Sequence, residues 1–303
     1  MIITKHLISV IGPTAIGKTA LAIKLAQYFN TEIISADSRQ FFKEMRIGTA
    51  VPSAEELKSA NHHFIQHISI FDEYSVGDFE KDALKKLEDL FKVHDTVIMV
   101  GGSGLYVDAV LKGLDHFPEV DPQIREELQK DLEENGIEHL QKRLKELDKS
   151  YYEKVDLQNP HRLIRALEIC IGSGRPYSSF LKNTSKERPF TAVKVGLTAE
   201  RPIIYDRINR RVDIMIKEGL LEEAKALYPH KELNALQTVG YKELFQYFEG
   251  TWSEEFAVEE IKKNTRRFAK RQLTWYRKNP EVLWFDFEAP FDKIIAGIEE
   301  KIS

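Results

Sequence analysis

Two kinds of apolar pattern alternate along the first third of the chain. Short β-branched runs at 8–11, 32–35 and 96–100 read as strands, and the last is continuous enough for a central parallel strand buried on both faces. Helical spacing follows each of them or lies between them. Leu21, Ala22, Leu25, Ala26 and Phe29 share one face, as do Phe79, Ala83, Leu84, Leu87, Leu90 and Phe91. Residues 105–111 begin a further helix, and 52–57 reads as a helix start. Such alternation predicts an α/β fold, a parallel sheet flanked by helices.

From Asp115 the strands stop. Asp121-Pro122 and Asn159-Pro160 each pair a cap with a proline in the first turn. Ile137, Leu140, Leu144 and Leu147 keep helical spacing after Gly136, and 172–176 breaks the last helix. We therefore expect residues 117–190 to be an all-helical insertion domain in a core made of 1–116 and 191–303. The core resumes with a strand at 192–197. A helix rich in arginine (Arg201, Arg207, Arg210, Arg211), a turn at 238–243 opening another helix, a basic helix and a last strand at 282–287 follow.

Composition narrows the class. The 303 residues are 42% hydrophobic and 30% charged, ordinary for a globular protein. The apolar run at the start is too short for a secretory signal, and no stretch approaches the roughly 18 apolar residues of a membrane span. A cytoplasmic protein without a membrane partner is expected. The single cysteine, Cys170, excludes an internal disulfide framework and cysteine-rich zinc sites, and its helical spacing with Leu163, Ala166 and Leu167 gives it a packing role. His63 and His67 have the spacing of a metal-ligating pair on a helix. No acid or thiol is spaced to complete a site, and apolar Phe64, Ile65 and Ile68 favour ordinary histidines.

Chemistry enters at Gly12-Pro13-Thr14-Ala15-Ile16-Gly17-Lys18-Thr19, which fits G-x-x-x-x-G-K-[ST] between a strand and a helix. Glycines let successive backbone N–H groups face one anion, and the helix N-terminus adds partial positive charge. Lys18 supplies a mobile cation for phosphate oxygens, and the Thr19 hydroxyl suits a Mg²⁺ that bridges them. A di- or triphosphate ligand is the expectation. In an open parallel sheet ligands meet the carboxyl ends of strands, so Asp37, Ser38 and Gln40 should project toward the same edge. Gly101-Gly102-Ser103-Gly104, at the end of the 96–100 strand, should join them.

The formal net charge of −4 hides an uneven distribution. Residues 262–278 hold eight Lys or Arg and no acid, and Arg266, Arg267, Lys270 and Arg271 lie on one broad helical face. A solvated helix normally mixes signs, so an unmixed run points to a polyanion. Phe268 and Trp275, seven residues apart, fit either stacking on bases or a core-facing stripe. On these residues alone a small-molecule P-loop kinase competes with an RNA-directed enzyme, and a nucleotide-gated RNA-binding protein is a third possibility. The basic helix speaks against the kinase, and the third class has no use for Asp37.

Read together, the motifs resemble the tRNA dimethylallyltransferase (tRNA isopentenyltransferase) family. They are GPTAIGKT (12–19), SADSRQ (35–40), GGSGLYVDAV (101–110), NPHRLIRALE (159–168), SGRP (173–176), NRRVDIMIKEGLLEE (209–223), TVGYKE (238–243) and NTRRFAKRQLTWYR (264–277). They run in the family's order over nearly the whole chain. The family usually has Ser at Ile16, Thr at Ser103 and Val-Tyr at Phe41-Phe42. The resemblance implies a P-loop NTPase-like core and transfer of a dimethylallyl group from dimethylallyl diphosphate to N6 of adenosine 37 of tRNA. It also implies that the phosphate loop holds a diphosphate leaving group with Mg²⁺ on Thr19, that Lys18 and Ser103 assist, and that Asp37 is the general base. By the same resemblance Asp37, Ser38, Arg39, Gln40, Ser103, Arg125, His161, Arg162, Leu163, Ile164 and Arg165 contact tRNA. The insertion would then embrace the anticodon stem-loop opposite the basic helix. An adenylate isopentenyltransferase acting on free nucleotide shares the phosphate loop but has no need of so large an RNA-facing surface. Nothing in the sequence demands more than a monomer.

Overall fold

The computed structural model describes residues 5–181 and 186–302. Packing divides the chain into two compact units, one of residues 1–112 and 187–303 and one of residues 113–186. The first begins β1 (His6–Ile11), α1 (Lys18–Tyr28), β2 (Ile33–Ser35), α2 (Ala54–Ser59), β3 (His62–His63), α3 (Val76–Leu90), β4 (Thr96–Val100) and α4 (Gly104–Lys112). The second holds α5 (Pro122–Asn135), α6 (Ile137–Leu147), α7 (Lys149–Tyr152) and α8 (Pro160–Ser173). The first then resumes with β5 (Thr191–Thr198), α9 (Arg201–Lys217), α10 (Leu220–Leu227), α11 (Tyr241–Phe248), α12 (Glu254–Tyr276), β6 (Leu283–Asp286) and α13 (Phe291–Ile302).

The six strands form one sheet in the order β3-β2-β4-β1-β5-β6, and every pairing is parallel. Because successive side chains alternate between faces, β1 sends Ile8 and Val10 into one core and Leu7 and Ile11 into the other. The first core packs against α1 and α13, the second against α3 and α4. The order also decides where function can sit. β4 lies between β2 and β1, so the loops leaving all three strands open side by side at the carboxyl edge. Ala36 N–H donates to Val100 O at 2.7 Å and Gly101 N–H to Val10 O at 3.2 Å, tying the three strand ends together.

Local signals account for the helix ends. Ser53 caps α2 and Ser75 caps α3, each with a reciprocal side-chain bond to its own N–H three residues on, from Glu56 and Asp78. Asp121 and Asn159 cap α5 and α8 as the Asx-Pro pairs predict. The histidine spacing is corrected: His62 and His63 form edge strand β3, so the helical i,i+4 geometry does not exist. His63 Nε2 instead meets Glu32 at 2.7 Å, and His67 packs edge-on against Phe41, Phe64 and Tyr74, its pKa lowered by burial. Cys170 is buried, as its spacing predicts.

Phe79 anchors α3 to the sheet. It is fully buried, stacks on Phe41 with centroids 5.1 Å apart, and meets Phe64 edge-on. Phe79→Ala is expected to cost about 3–5 kcal/mol, the range for removing a buried aromatic ring. Urea unfolding monitored by circular dichroism checks this; a loss below about 1 kcal/mol would show that the cluster repacks.

Candidate active site

The phosphate loop leaves β1 at Ile11 and enters α1 at Lys18. A Cβ on Gly12 would stand 2.5 Å from Leu197 O on the neighbouring strand, so only glycine lets the chain turn here. Arg207 donates through Nε to Ala15 O at 2.8 Å and holds the loop from α9. Lys18 Nζ donates to Pro13 O at 2.7 Å, folded back over its own loop. Desolvation pulls its pKa down to about 8, with Asp37 opposing the fall and Arg211 adding to it. A cavity of about 840 Å³ opens over this loop, with Lys18, Thr19, Gln40, Arg207, Arg210 and Arg211 in its wall.

β2 delivers Asp37 to the same edge, on the far side of β4 from the phosphate loop. Its Oδ1 accepts the Arg39 N–H at 3.2 Å, an Asx turn that fixes the carboxylate. Desolvation raises the Asp37 pKa, and the Arg39 N–H, Lys18, Arg39 and Arg211 partly offset the rise. Ser103, from the glycine loop after β4, accepts the Ser38 N–H at 3.1 Å and meets the Ser38 hydroxyl at 3.1 Å. Ser103 therefore orients the Asp37 turn. Arg39 is tied to the carbonyls of Asn234 and Ala235 through Nη1, at 3.2 and 3.0 Å.

Gln272 on α12 joins the loops that follow β1 and β4. Its Oε1 accepts the Thr14 N–H at 2.8 Å and its Nε2 donates to Gly102 O at 2.9 Å, with the side chain buried. A second cavity, about 850 Å³, opens on the far side of Asp37, walled by Ser38, Arg39, Ser103, Tyr106, Phe268 and Trp275 among others. Thr14, Asp37, Arg211, Phe268 and Gln272 line both cavities, so Asp37 stands on their common wall.

The aromatic alternative is resolved by α12 itself. Its buried stripe is Ile261, Ala269, Gln272 and Tyr276, whereas Phe268 and Trp275 are 38% and 39% exposed and face the cavity. The Trp275 indole N–H donates to Asp108 at 2.9 Å, which sets the plane of the ring. The basic run is less uniform in space than in sequence. Lys262 pairs with Asp213 and Glu259, and Lys263 with Glu260. Arg266 donates to Asn209 at 2.7 Å and Arg267 to Asn264 at 3.1 Å. Lys270 and Arg271 are exposed, and Arg271 lines the second cavity with its guanidinium over the Phe268 ring.

The three arginines of α9 also separate. Arg210 pairs with Asp206 on the surface, Arg207 braces the phosphate loop, and Arg211 lines both cavities with Asp37 and Glu56 supporting its charge. In the helical unit, Arg125 and Arg165 both grip the buried carboxylate of Glu168, and His161 and Arg162 are exposed. Leu163 and Ile164 are placed differently from their polar neighbours. They sit on the inner face of α8 among Leu128, Leu140 and Leu144, so their side chains belong to that unit's core.

Sequence reasoning singled out the arginines of α9 without separating Arg211 from Arg207 and Arg210, and it missed Gln272 and the segment 46–50, which lines both cavities. Gln272 did carry a signal, since it is the polar residue on an otherwise apolar stripe of α12. Segment 46–50 carried none, because its shape depends on partners far away in the chain.

Three comparisons bear on this geometry. The IPP transferase family matches residues 40–279. The chain is 63% identical over 300 residues to a tRNA dimethylallyltransferase of Christiangramia forsetii, covering 99% of each, and 60% identical to one of Flavobacterium johnsoniae, covering 98% of each. Among solved structures it is similar to the full-length tRNA isopentenylpyrophosphate transferase of Bacillus halodurans, with TM-score 0.72, 38% identity, and coverage of 98% of this chain and 95% of that one. It is also similar to a eukaryotic dimethylallyltransferase described as acting on tRNA, with TM-score 0.81, 26% identity, and coverage of 99% and 80%. A matched stretch that begins at Gln40 and runs through the basic helix, and relatives aligned with the chain over nearly its whole length, lead to one assignment: the chain belongs to the IPP transferase family.

Proposed function

We propose that this protein transfers a dimethylallyl group from dimethylallyl diphosphate to N6 of adenosine 37 in tRNA, releasing diphosphate. The observation that carries this reading is the pair of cavities sharing Asp37. One is floored by a phosphate loop, the other walled by exposed aromatic rings and basic side chains. An anionic donor and a flat base can approach one carboxylate from opposite sides, with the allylic carbon between them.

The bond changes balance as follows. The C1–O bond of the donor breaks and its electron pair leaves on the diphosphate, where Lys18, the loop N–H groups and Arg211 receive the charge. The N6 lone pair of adenine forms the new bond to C1, and the N6 proton passes to the Asp37 carboxylate. A poorly solvated carboxylate is a stronger base than one in water, which suits a weakly acidic amine. Phe268 and Trp275 offer faces on which an unstacked base can rest. Arg125, Arg162 and Arg165, with Arg266, Arg267, Lys270 and Arg271, supply positive charge for the RNA backbone, and His161 offers a ring nitrogen for hydrogen bonding.

The donor set suits Mg²⁺. Thr19 presents a hydroxyl to the cavity over the phosphate loop, and among the described residues no cluster of three His, Cys, Asp or Glu could hold a metal by itself. Such a site takes an ion that keeps most of its ligands as water and phosphate oxygen, as Mg²⁺ does. When bound, it would neutralise charge on the diphosphate. Among the described residues no helix is long and apolar enough to cross a membrane; with tRNA as substrate, we assign the reaction to the cytoplasm.

With Mg²⁺ and labelled dimethylallyl diphosphate, label is expected to enter an anticodon stem-loop bearing adenosine 37 and not AMP. Label on AMP points to the free-nucleotide reaction, and phosphate lost from ATP with no prenyl transfer points to a kinase. Asp37→Ala should slow transfer about 10²–10⁴-fold while RNA affinity in a gel-shift titration stays within about threefold, because phosphate contacts dominate that affinity. Unchanged turnover removes Asp37 from the mechanism.

The pH profile of kcat/KM for the donor should be bell-shaped. Asp37 must be ionised, and its raised pKa sets the acid limb above the usual carboxylate range, with activity rising as pH passes it. Lys18 must be charged, so activity falls as pH passes about 8. Lys18→Arg keeps its charge at all these pH values and should abolish the alkaline limb in whatever activity remains.

A further inference from the structure

One wall of both cavities is the segment from Arg46 to Ala50, and its shape is not one that the chain holds unaided. Ala50 has φ +51°, the left-handed region that a residue with a Cβ avoids. The N–H groups of Arg46, Ile47 and Gly48 converge on a single point. Three consecutive N–H groups aimed this way make an anion-binding nest.

The anion in that nest is a side chain of the same protein. Glu223, on α10, accepts Arg46 N–H at 3.0 Å and Ile47 N–H at 2.8 Å on Oε2, and Gly48 N–H at 2.9 Å on Oε1. The same Oε1 accepts the Tyr241 hydroxyl at 2.7 Å. A carboxylate has about four acceptor positions, and these four bonds use them all. Tyr241 is fully buried, and a Cβ on Gly48 would stand 2.6 Å from its ring, so the ring is the surface against which the segment lies. On the opposite edge Gln40 Nε2 donates to the carbonyls of Thr49 and Ala50, at 3.2 and 2.9 Å, linking the segment to the strand end that carries Asp37.

We propose that Glu223, braced by Tyr241, is a positioning residue for the transfer reaction: it latches the 46–50 segment as the wall common to the donor and acceptor cavities. The proposal rests on the prenyl-transfer reading. Glu223 lines neither cavity and touches neither reactant; it acts through Thr49 and Ala50, which line both. Arg46 is exposed and Ile47 and Gly48 are half-buried, so water can satisfy their N–H groups when the carboxylate is lost. Losing the latch therefore loosens a wall and leaves the fold intact.

The test compares wild type with Glu223→Gln and Tyr241→Phe. Glutamine keeps the size but replaces one acceptor oxygen by an NH2 that faces N–H donors. Tyr241→Phe keeps the ring and removes one bond, and it carries the same test if the first variant fails to fold. Three readouts are taken: hydrogen exchange at 46–48, affinity for inorganic diphosphate with Mg²⁺ by calorimetry, and kcat and KM for transfer. Exchange at 46–48 should quicken about tenfold or more in Glu223→Gln, with β1 and β4 unchanged. Diphosphate affinity should weaken, and kcat should fall about 10²-fold, the scale of a wall misplaced by an ångström. KM for tRNA should stay within about threefold, since its phosphate contacts lie elsewhere. A purely structural Glu223 would lower the melting temperature and leave kcat per folded molecule unchanged, which overturns the proposal; so does unchanged exchange at 46–48. If wild type transfers no prenyl group, the reading of the reaction fails. Exchange and diphosphate affinity then still decide whether the latch exists.

Discussion

The carboxamide of Gln272 holds two loops that no continuous piece of backbone connects. Thr14 follows β1 and Gly102 follows β4, and the amide bonds one to its oxygen and the other to its nitrogen. Each bond contributes only about 1 kcal/mol net, but leaving a buried partner unsatisfied costs about 1–3 kcal/mol. The asymmetry is what makes the clasp specific. Glutamate at this position would offer no donor to Gly102 O, and leucine would offer neither group. With the clasp made, the phosphate loop, the Asp37 turn and the glycine loop sit at fixed separations across the edge of the sheet. The two cavities then meet at one carboxylate instead of opening independently.

Asp37, Lys18 and Arg211 form a second level of organisation on that frame. All three are desolvated, which raises the pKa of the acid and lowers that of the two bases. Asp37 offsets the desolvation of both cations and they offset its own, whereas Arg211 adds to the fall at Lys18. A site built this way is tuned toward neutrality from both sides: the carboxylate becomes more basic and the ammonium more acidic. Lys18 rests on Pro13 O in the protein as it stands. An entering anion would recover the electrostatic cost of desolvating Lys18 and Arg211 together, so the desolvated cations favour a multiply charged ligand over a singly charged one.

What was legible in the sequence was whatever its neighbours along the chain determine. The phosphate loop, Asp37 after a short strand, and the glycine loop after a fully apolar strand are each local strand–turn–helix units. The sheet order then brings them together, as the rule for parallel sheets predicts. Side-chain direction was legible only in part. Leu163 and Ile164 fall in the same helical turn as Arg162 and Arg165, but period 3.6 turns the two apolar residues inward. Phe268 and Trp275 have the spacing of a buried stripe, yet Ala269, Gln272 and Tyr276 already occupy the inner face of α12. Among residues whose work is done across long separations, Gln272 showed only as a polar residue on an apolar stripe, and Glu223 had no local pattern to announce it.

Those long separations concentrate at the site for a physical reason. The clasp spans 258 positions to Thr14 and 170 to Gly102, the Arg207 brace spans 192, and Glu223 reaches the 46–50 segment across about 176. Loops cannot bury enough apolar surface to fix themselves, so their order is imposed by helices that the sheet and cores have already placed. α9, α10 and α12 each contribute one polar side chain to that task while their apolar faces pack into the cores. Contacts of this kind close the largest chain loops and depend on prior packing. The site is accordingly the last part of the core unit to be defined and the first to loosen when one of those polar side chains is removed, before any core residue is exposed.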